Sequence, residues 1–342
     1  MKRWPVRLAA AVVGCVFVAA CGRNEEGGGG SKDADAPFRV GLVFDVGGKG
    51  DRSFNDSAYE GLARAAQEFS IRISDFEPGQ DADREVGLRK LADRGYDVVI
   101  GVGFLFTDAI RSVAPDYPNV HFVLVDGRLE GLDNVASLVF RENEGAFLVG
   151  AMAAMATETG RLGFVGGMDV PLIHKFEAGY RAGAEHVRPD IGVLVGYAGV
   201  RPEAFADPVR GKEIALSQID QGADVIFHAS GVTGLGVIEA AKERGKLAIG
   251  VDSNQNDVAP GTVLTSMIKR VDNALYAEIE KSIRGEFRGG LIEYGLADDG
   301  IGVAIDENNR HLVTDAMSAR VTALRDSIVQ GAIVVPTGTG RR

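Results

Sequence analysis

Cysteine is almost absent: two in 342 residues, Cys15 and Cys21, and the single tryptophan, Trp4, lies ahead of both. No internal disulfide can therefore staple the chain beyond residue 21. Basic residues are in the minority, 37 Lys and Arg against 48 Asp and Glu, for a net charge of −11. That balance argues against nucleic acid as a partner, because phosphate binding needs a basic face. Beyond the first twenty residues no apolar run is long enough to span a bilayer. The five histidines, His121, His174, His186, His228 and His311, show no HExxH or paired metal spacing, so no metal centre is expected. There is no GxSxG elbow and no Walker motif. Gly48-Lys-Gly50-Asp51-Arg-Ser53 begins like a dinucleotide fingerprint but lacks its third glycine, and Asp45 and Asp51 beside it would repel a pyrophosphate. No catalytic residue and no cofactor is expected.

The N-terminal residues read as an export signal, with Lys2, Arg3 and Arg7 ahead of an apolar run from Leu8 to Ala20 that is too short for a spanning helix. It ends in Val18-Ala-Ala-Cys21, which resembles the lipobox of bacterial lipoproteins. This implies a signal peptide over residues 1–20 and a lipid on Cys21, and hence a membrane-anchored protein on the extracytoplasmic face. The alternative is an ordinary signal with an incidental cysteine. Residues 21–37 are polar and Gly-rich and read as a flexible tether.

From Phe38 onward, short Val-, Ile- and Phe-rich runs alternate with amphipathic stretches. The first run, Arg39-Phe44, is followed by a helix expected from about Asp56 to Phe69, with Tyr59, Leu62, Ala66 and Phe69 at helical spacing. The alternation continues to Val135-Phe140. An Ala- and Met-rich helix, Glu144-Thr157, precedes a second series that runs from Gly163-Gly166 through a helix at Lys175-Val187 to Leu247-Val251. The pattern predicts an α/β protein of two doubly wound, Rossmann-like lobes. Strands at Val263-Ile268 and Ile301-Ala304, flanking a helix at Val271-Arg284, and a final helix at Thr314-Gln330 follow the two complete series. The chain is thus expected to cross between lobes more than once, through a multi-crossing hinge with a cleft beside it. The expected division is 38–143 with about 271–289 for lobe 1, and 144–270 with about 290–342 for lobe 2.

Asp45, Asp126 and Asp252 each end an apolar strand run, where an open α/β sheet presents ligand groups. Each alone is equally a helix cap or turn former; three together point to a site for a neutral, hydroxyl-rich ligand. Phe54 sits in a polar stretch with no apolar periodicity, and Phe176 stands at a helix entrance in the second series. Rings from facing lobes can sandwich a flat ligand, although Phe176 is also readable as core. Gly231-Val232, in a glycine-rich strand-to-helix loop, would bring backbone amides to a ligand or serve only as a turn. Lys269 could donate to a ligand oxygen, pair with Asp252, or sit solvated.

Asp45-Val-Gly-Gly with Asp51-Arg-Ser-Phe54-Asn55, Gly145-Ala-Phe-Leu-Val-Gly150, Gly163-Phe-Val-Gly-Gly167 with Phe176-Glu-Ala-Gly179-Tyr180, and Gly250-Val-Asp252-Ser253 resemble the basic membrane protein (BMP) family of PnrA-like lipoproteins. These are substrate-binding components of ABC transporters. The resemblance implies a type I periplasmic-binding-protein fold and a purine nucleoside ligand of the guanosine, inosine or adenosine class, taken up through an ABC permease. A monomer is expected. It also implies that Phe54 and Phe176 stack the base, Asn55 and Asp126 bond to it, and Asp252 and Lys269 hold ribose hydroxyls. Asp45 and Gly231-Val232 would complete the wall, and His174 in the variable loop before Phe176 could alter base preference. A sugar-binding protein, a nucleoside-acting Rossmann-type enzyme and a ligand-sensing adhesin or signalling partner without a permease are the alternatives.

Overall fold

The computed structural model describes residues 37–338. The expected signal, Cys21 and all of the tether but Pro37 lie outside the described residues.

Long stretches of consecutive buried apolar residues decide the architecture. The strands β1 (Arg39–Val43), β3 (Val98–Gly101), β4 (His121–Val125) and β5 (Val135–Phe140) are buried almost throughout. This is the signature of parallel strands covered on both faces. With β2 (Arg72–Phe76) and β11 (Gly290–Tyr294) they form one six-stranded parallel sheet in the order β11-β5-β4-β3-β1-β2. The helices α1 (Phe54–Phe69), α2 (Asp83–Asp93) and α3 (Thr107–Val113) connect its first strands. α1 buries Ala58, Leu62 and Ala65, four and three residues apart, on the face it turns to the sheet.

The second sheet repeats the plan. Its strands are β6 (Arg161–Met168), β7 (Gly192–Gly199), β8 (Val225–Ala229), β9 (Leu247–Asp252), β10 (Val263–Lys269) and β12 (Ile301–Val303), in the order β12-β10-β9-β8-β6-β7. Only β12 runs antiparallel, against β10. The linking helices are α5 (Pro171–Val187), α6 (Pro208–Asp220) and α7 (Thr233–Glu243). In each sheet the order reverses beside the first strand, at β1/β3 and β6/β8, which opens a crevice at the carboxyl ends of the strands.

Three segments cross between the lobes: Phe140 to Glu142, Lys269 to Val271, and the turn between β11 and β12. After the first crossing, α4 (Glu142–Ala156) packs on α5 and β10 in the second lobe. After the second, α8 (Val271–Ile283) packs on α1 in the first. The C-terminal α9 (Asp315–Val329) returns to α4. Glycines set the α4–α5 approach: a Cβ at Gly150, Gly179 or Gly183 would lie within 2.2 Å of a carbonyl oxygen of the facing helix. Gly150 and Gly179 of the two sequence motifs therefore serve helix packing, while Gly145 makes room for Met267 and Ile301 of the second sheet.

Three expected boundaries are corrected. β11 pairs with β5, so residues 290–294 belong to the first lobe and the last crossing falls after Tyr294. α5 opens at Pro171 because proline suits the first helical turn, where its missing N–H costs nothing. α1 begins at Phe54 itself.

Candidate functional site

The carboxyl-end crevices of the two sheets face each other around a cavity lined from both lobes. Eight of the nine expected site residues line it: Asp45, Phe54, Asn55, Asp126, Phe176, Gly231, Asp252 and Lys269. The ninth, Val232, does not; its Cγ2 packs against Gly47 of the first lobe, 3.0 Å from where a Cβ would stand. His174 also lies outside the lining: its Nε2 is 2.6 Å from Asp169 and its ring meets Tyr197 edge-on.

Each wall is the end of a strand or the start of a helix. Asp126 and Asp252 follow the fourth strand of their respective sheets, and both adopt left-handed backbone, with φ of 62° and 64°. Such a conformation is uncommon outside glycine and tolerated best by Asn and Asp. It brings the two carboxylates to Lys269, whose Nζ is 2.5 Å from Asp126 Oδ2 and 3.6 Å from Asp252 Oδ1. Lys269 is 2 % exposed. Burial alone would lower its pKa, but Asp126, Asp252 and Glu142 outweigh that and hold the ammonium above its ordinary range. The same ammonium lies 4.6 Å from the ring centroid of Phe54, in the first lobe, and 5.6 Å from that of Phe176, in the second. Asp126 Oδ1 and Asp252 Oδ1 are buried and have no hydrogen-bond partner among the described residues. Buried acceptors of this kind are costly unless a ligand donor meets them.

Asn55 differs from its expected role. Its Oδ1 accepts from the Asp45 amide at 2.9 Å, and its Nδ2 donates to Asp51 Oδ2 at 3.0 Å and to the Val46 carbonyl at 3.3 Å. Both N–H bonds are spent on the turn, leaving only one Oδ1 lone pair for a ligand. Asp51 anchors the same turn by accepting from the amides of Ser53, Asn55 and Asp56.

Burial pushes Asp45 up to about 7, opposed by the Val46 amide and Arg84, and Asp51 up to about 6. Between the ordinary 3.8 and about 7 the folded chain holds the Asp45 proton more tightly than the unfolded chain does. Asp45 therefore stabilises fully below about pH 4, and that contribution is lost as pH rises through 7. Asp45→Asn should flatten the fall in stability over this range by about 2–4 kcal/mol, read from urea melts at several pH values.

The sequence reading missed several wall residues. Leu172 and Ile173 enter from the first turn of α5, and Pro171 was the signal that the helix starts there. Phe205, Ser230 and the Gly103-Phe104 pair also line the cavity; Phe205 stands in an irregular stretch that no periodicity marks. Among the described residues no cluster of His, Cys, Asp and Glu is suited to a metal ion.

Two doubly wound lobes, three crossings and a cavity lined from both sides define a solute-binding protein of the type I periplasmic class. The chain belongs to the Bmp family, the PnrA-like substrate-binding proteins of ABC transporters, whose model matches residues 38–339. A CD4+ T-cell-stimulating antigen of Listeria innocua is 36% identical over 98% of both chains. The ABC transporter nucleoside-binding protein BmpA of Lactococcus lactis is 32% identical over 98% of this chain and all of its own. An ABC transporter solute-binding protein of Aeropyrum pernix has a TM-score of 0.80 at 34% identity, covering 88% of this chain and 94% of its own. A small ligand and an ABC permease are accordingly its partners.

Proposed function

We propose that this protein captures a purine nucleoside between its lobes and delivers it to an ABC permease, without catalysing a reaction. The carrying observation is the pairing of Phe54 and Phe176, from opposite lobes, around the Lys269 ammonium and the buried carboxylates of Asp126 and Asp252, each with one oxygen that has no hydrogen-bond partner among the described residues. Two rings suit the faces of a flat base, and carboxylates with spare lone pairs suit ribose hydroxyls. The nucleoside-binding relative from Lactococcus lactis supports the same ligand class. A lipid on Cys21 would hold the protein at the outer face of the membrane, in line with a lipoprotein relative in Pyrococcus abyssi that is 36% identical. Among the described residues no helix is long and apolar enough to cross a membrane.

The test is a thermal-shift panel on the Cys21→Ser chain, denatured and refolded to strip any carried ligand. A nucleoside at about 100 times its Kd should add roughly 2.7 kcal/mol of stability. Stabilisation by a pentose or hexose and by no nucleoside would favour the sugar reading. Release of hypoxanthine from inosine would establish an enzyme instead.

A further inference from the structure

A buried hydrogen-bond chain runs from the cavity wall to the place where the lobes touch, through two residues that line no part of the cavity. His228, in the middle of β8, is fully buried, and its Nε2 lies 2.9 Å from Gln255 Oε1. Gln255 is fully buried too. Its Oε1 also accepts from the Val251 amide at 2.9 Å, and its Nε2 donates 3.1 Å across the interlobe boundary to the carbonyl of Arg52. Because Oε1 is an acceptor, His228 Nε2 must carry the proton, and its Nδ1 is left as an acceptor facing Ser230 Oγ, 3.4 Å away, on the cavity wall. Burial holds the imidazole neutral, with its pKa lowered to about 4.

The chain occupies space kept clear for it. A Cβ on Gly234 would lie 1.9 Å from the His228 ring, and one on Gly250 would lie 2.7 Å from Gln255 Oε1. The receiving carbonyl belongs to the turn that carries Phe54 and Asn55 into the cavity. The same turn is held by Ser253 Oγ donating to the Ser53 carbonyl at 2.7 Å, and by Ser53 Oγ donating to the Val251 carbonyl at 3.0 Å. The exposed Arg52–Asp257 pair adds little, as solvent-exposed ion pairs do.

We infer that Gln255, oriented by His228, is the positioning residue of lobe closure: it locks the Asp51–Phe54 turn to the second lobe and touches no ligand. The inference rests on the two-lobed binding reading but not on the identity of the ligand. Closure then depends on a bond that only an amide at 255, turned the right way, can make. Ser230, on the cavity wall, reaches Gln255 through His228, and Phe54 is carried by the turn whose Arg52 carbonyl Gln255 holds, so a ligand between the walls would couple occupancy to closure.

The experiment is a distance measurement between labels at Val86→Cys and Val209→Cys, exposed positions on the first and second lobes, in a chain with Cys15→Ser and Cys21→Ser. Gln255→Met keeps the volume and removes the donor. It should lower the closed fraction of the ligand-free protein at least fivefold and weaken nucleoside binding about tenfold through the off-rate, with base preference unchanged. His228→Phe should do the same, and His228→Gln, whose amide nitrogen can take the place of Nε2 and still donate to Gln255, should restore closure in part. Were Gln255→Met to misfold, Ser253→Ala at the rim should shift closure in the same direction, about threefold. A folded Gln255→Met protein with the parent's distance distribution would overturn the inference. The ligand-free distances answer this even if no nucleoside binds, so failure of the ligand assignment and failure of the latch are separable.

Discussion

Lys269→Met is expected to abolish ligand capture and to lower stability by about 3–5 kcal/mol, the usual cost of removing one partner from a buried ion cluster. Methionine keeps the stem between Phe54, Phe140 and Phe176 and removes only the charge. Three carboxylates then lose their shared counter-ion. Asp126 and Asp252 keep none, and Glu142, fully buried, keeps Lys175 at 2.9 Å. Burial already raises Asp252 and Glu142 above the ordinary carboxylate range, with Lys269 opposing it in both. In the variant their folded-state affinity for protons rises further, so stability should recover as pH falls toward 4. Urea melts at pH 5 and 7.5 check both the size and the sign. A loss under about 1 kcal/mol at neutral pH would mean that the cluster is not the electrostatic centre of the site.

Removing either ring of the clamp should weaken nucleoside binding by 1–3 kcal/mol, about 5- to 150-fold. The two rings differ in what else they do. Phe54 is half-buried at the start of α1, at the edge of the core, so Phe54→Ala should lower the melting temperature less than Phe176→Ala and report mainly on stacking. Phe176 is 2 % exposed and packs on Phe227, with centroids 6.5 Å apart, so Phe176→Ala would add a cavity cost of about 3–5 kcal/mol. Phe176→Leu is the cleaner probe, since it keeps most of the volume and loses the ring. Calorimetry should show each change costing much more for a nucleoside than for free ribose. Equal losses for both would place the sugar, not the base, between the rings.

Much of this site was legible because its residues break a pattern. Asp45, Asp126 and Asp252 end apolar runs, and Phe54 interrupts a polar one; all four line the cavity. Lys269 was readable only as one of several options, since nothing in its neighbourhood shows that the hinge brings it between two distant carboxylates. β11 was missed because an edge strand of five residues with alternating exposure carries no continuous apolar run. Val232 was in the right loop but packs on Gly47 of the other lobe, and Asn55 lines the cavity with its N–H groups spent on its own turn, neither of which a local pattern shows. His228 was a further overlooked signal: a histidine inside the otherwise apolar run Val225–Ala229 demands a buried partner, and that partner, Gln255, lies beyond any local pattern.

The most direct measurement is calorimetry of the refolded Cys21→Ser chain titrated with inosine, guanosine and adenosine, then with free ribose and free hypoxanthine. The account predicts one-to-one binding of at least one purine nucleoside, tighter than either half alone, with most of that affinity lost in Phe54→Ala. A well-folded chain that binds no nucleoside, or binds ribose as tightly as inosine, would contradict it.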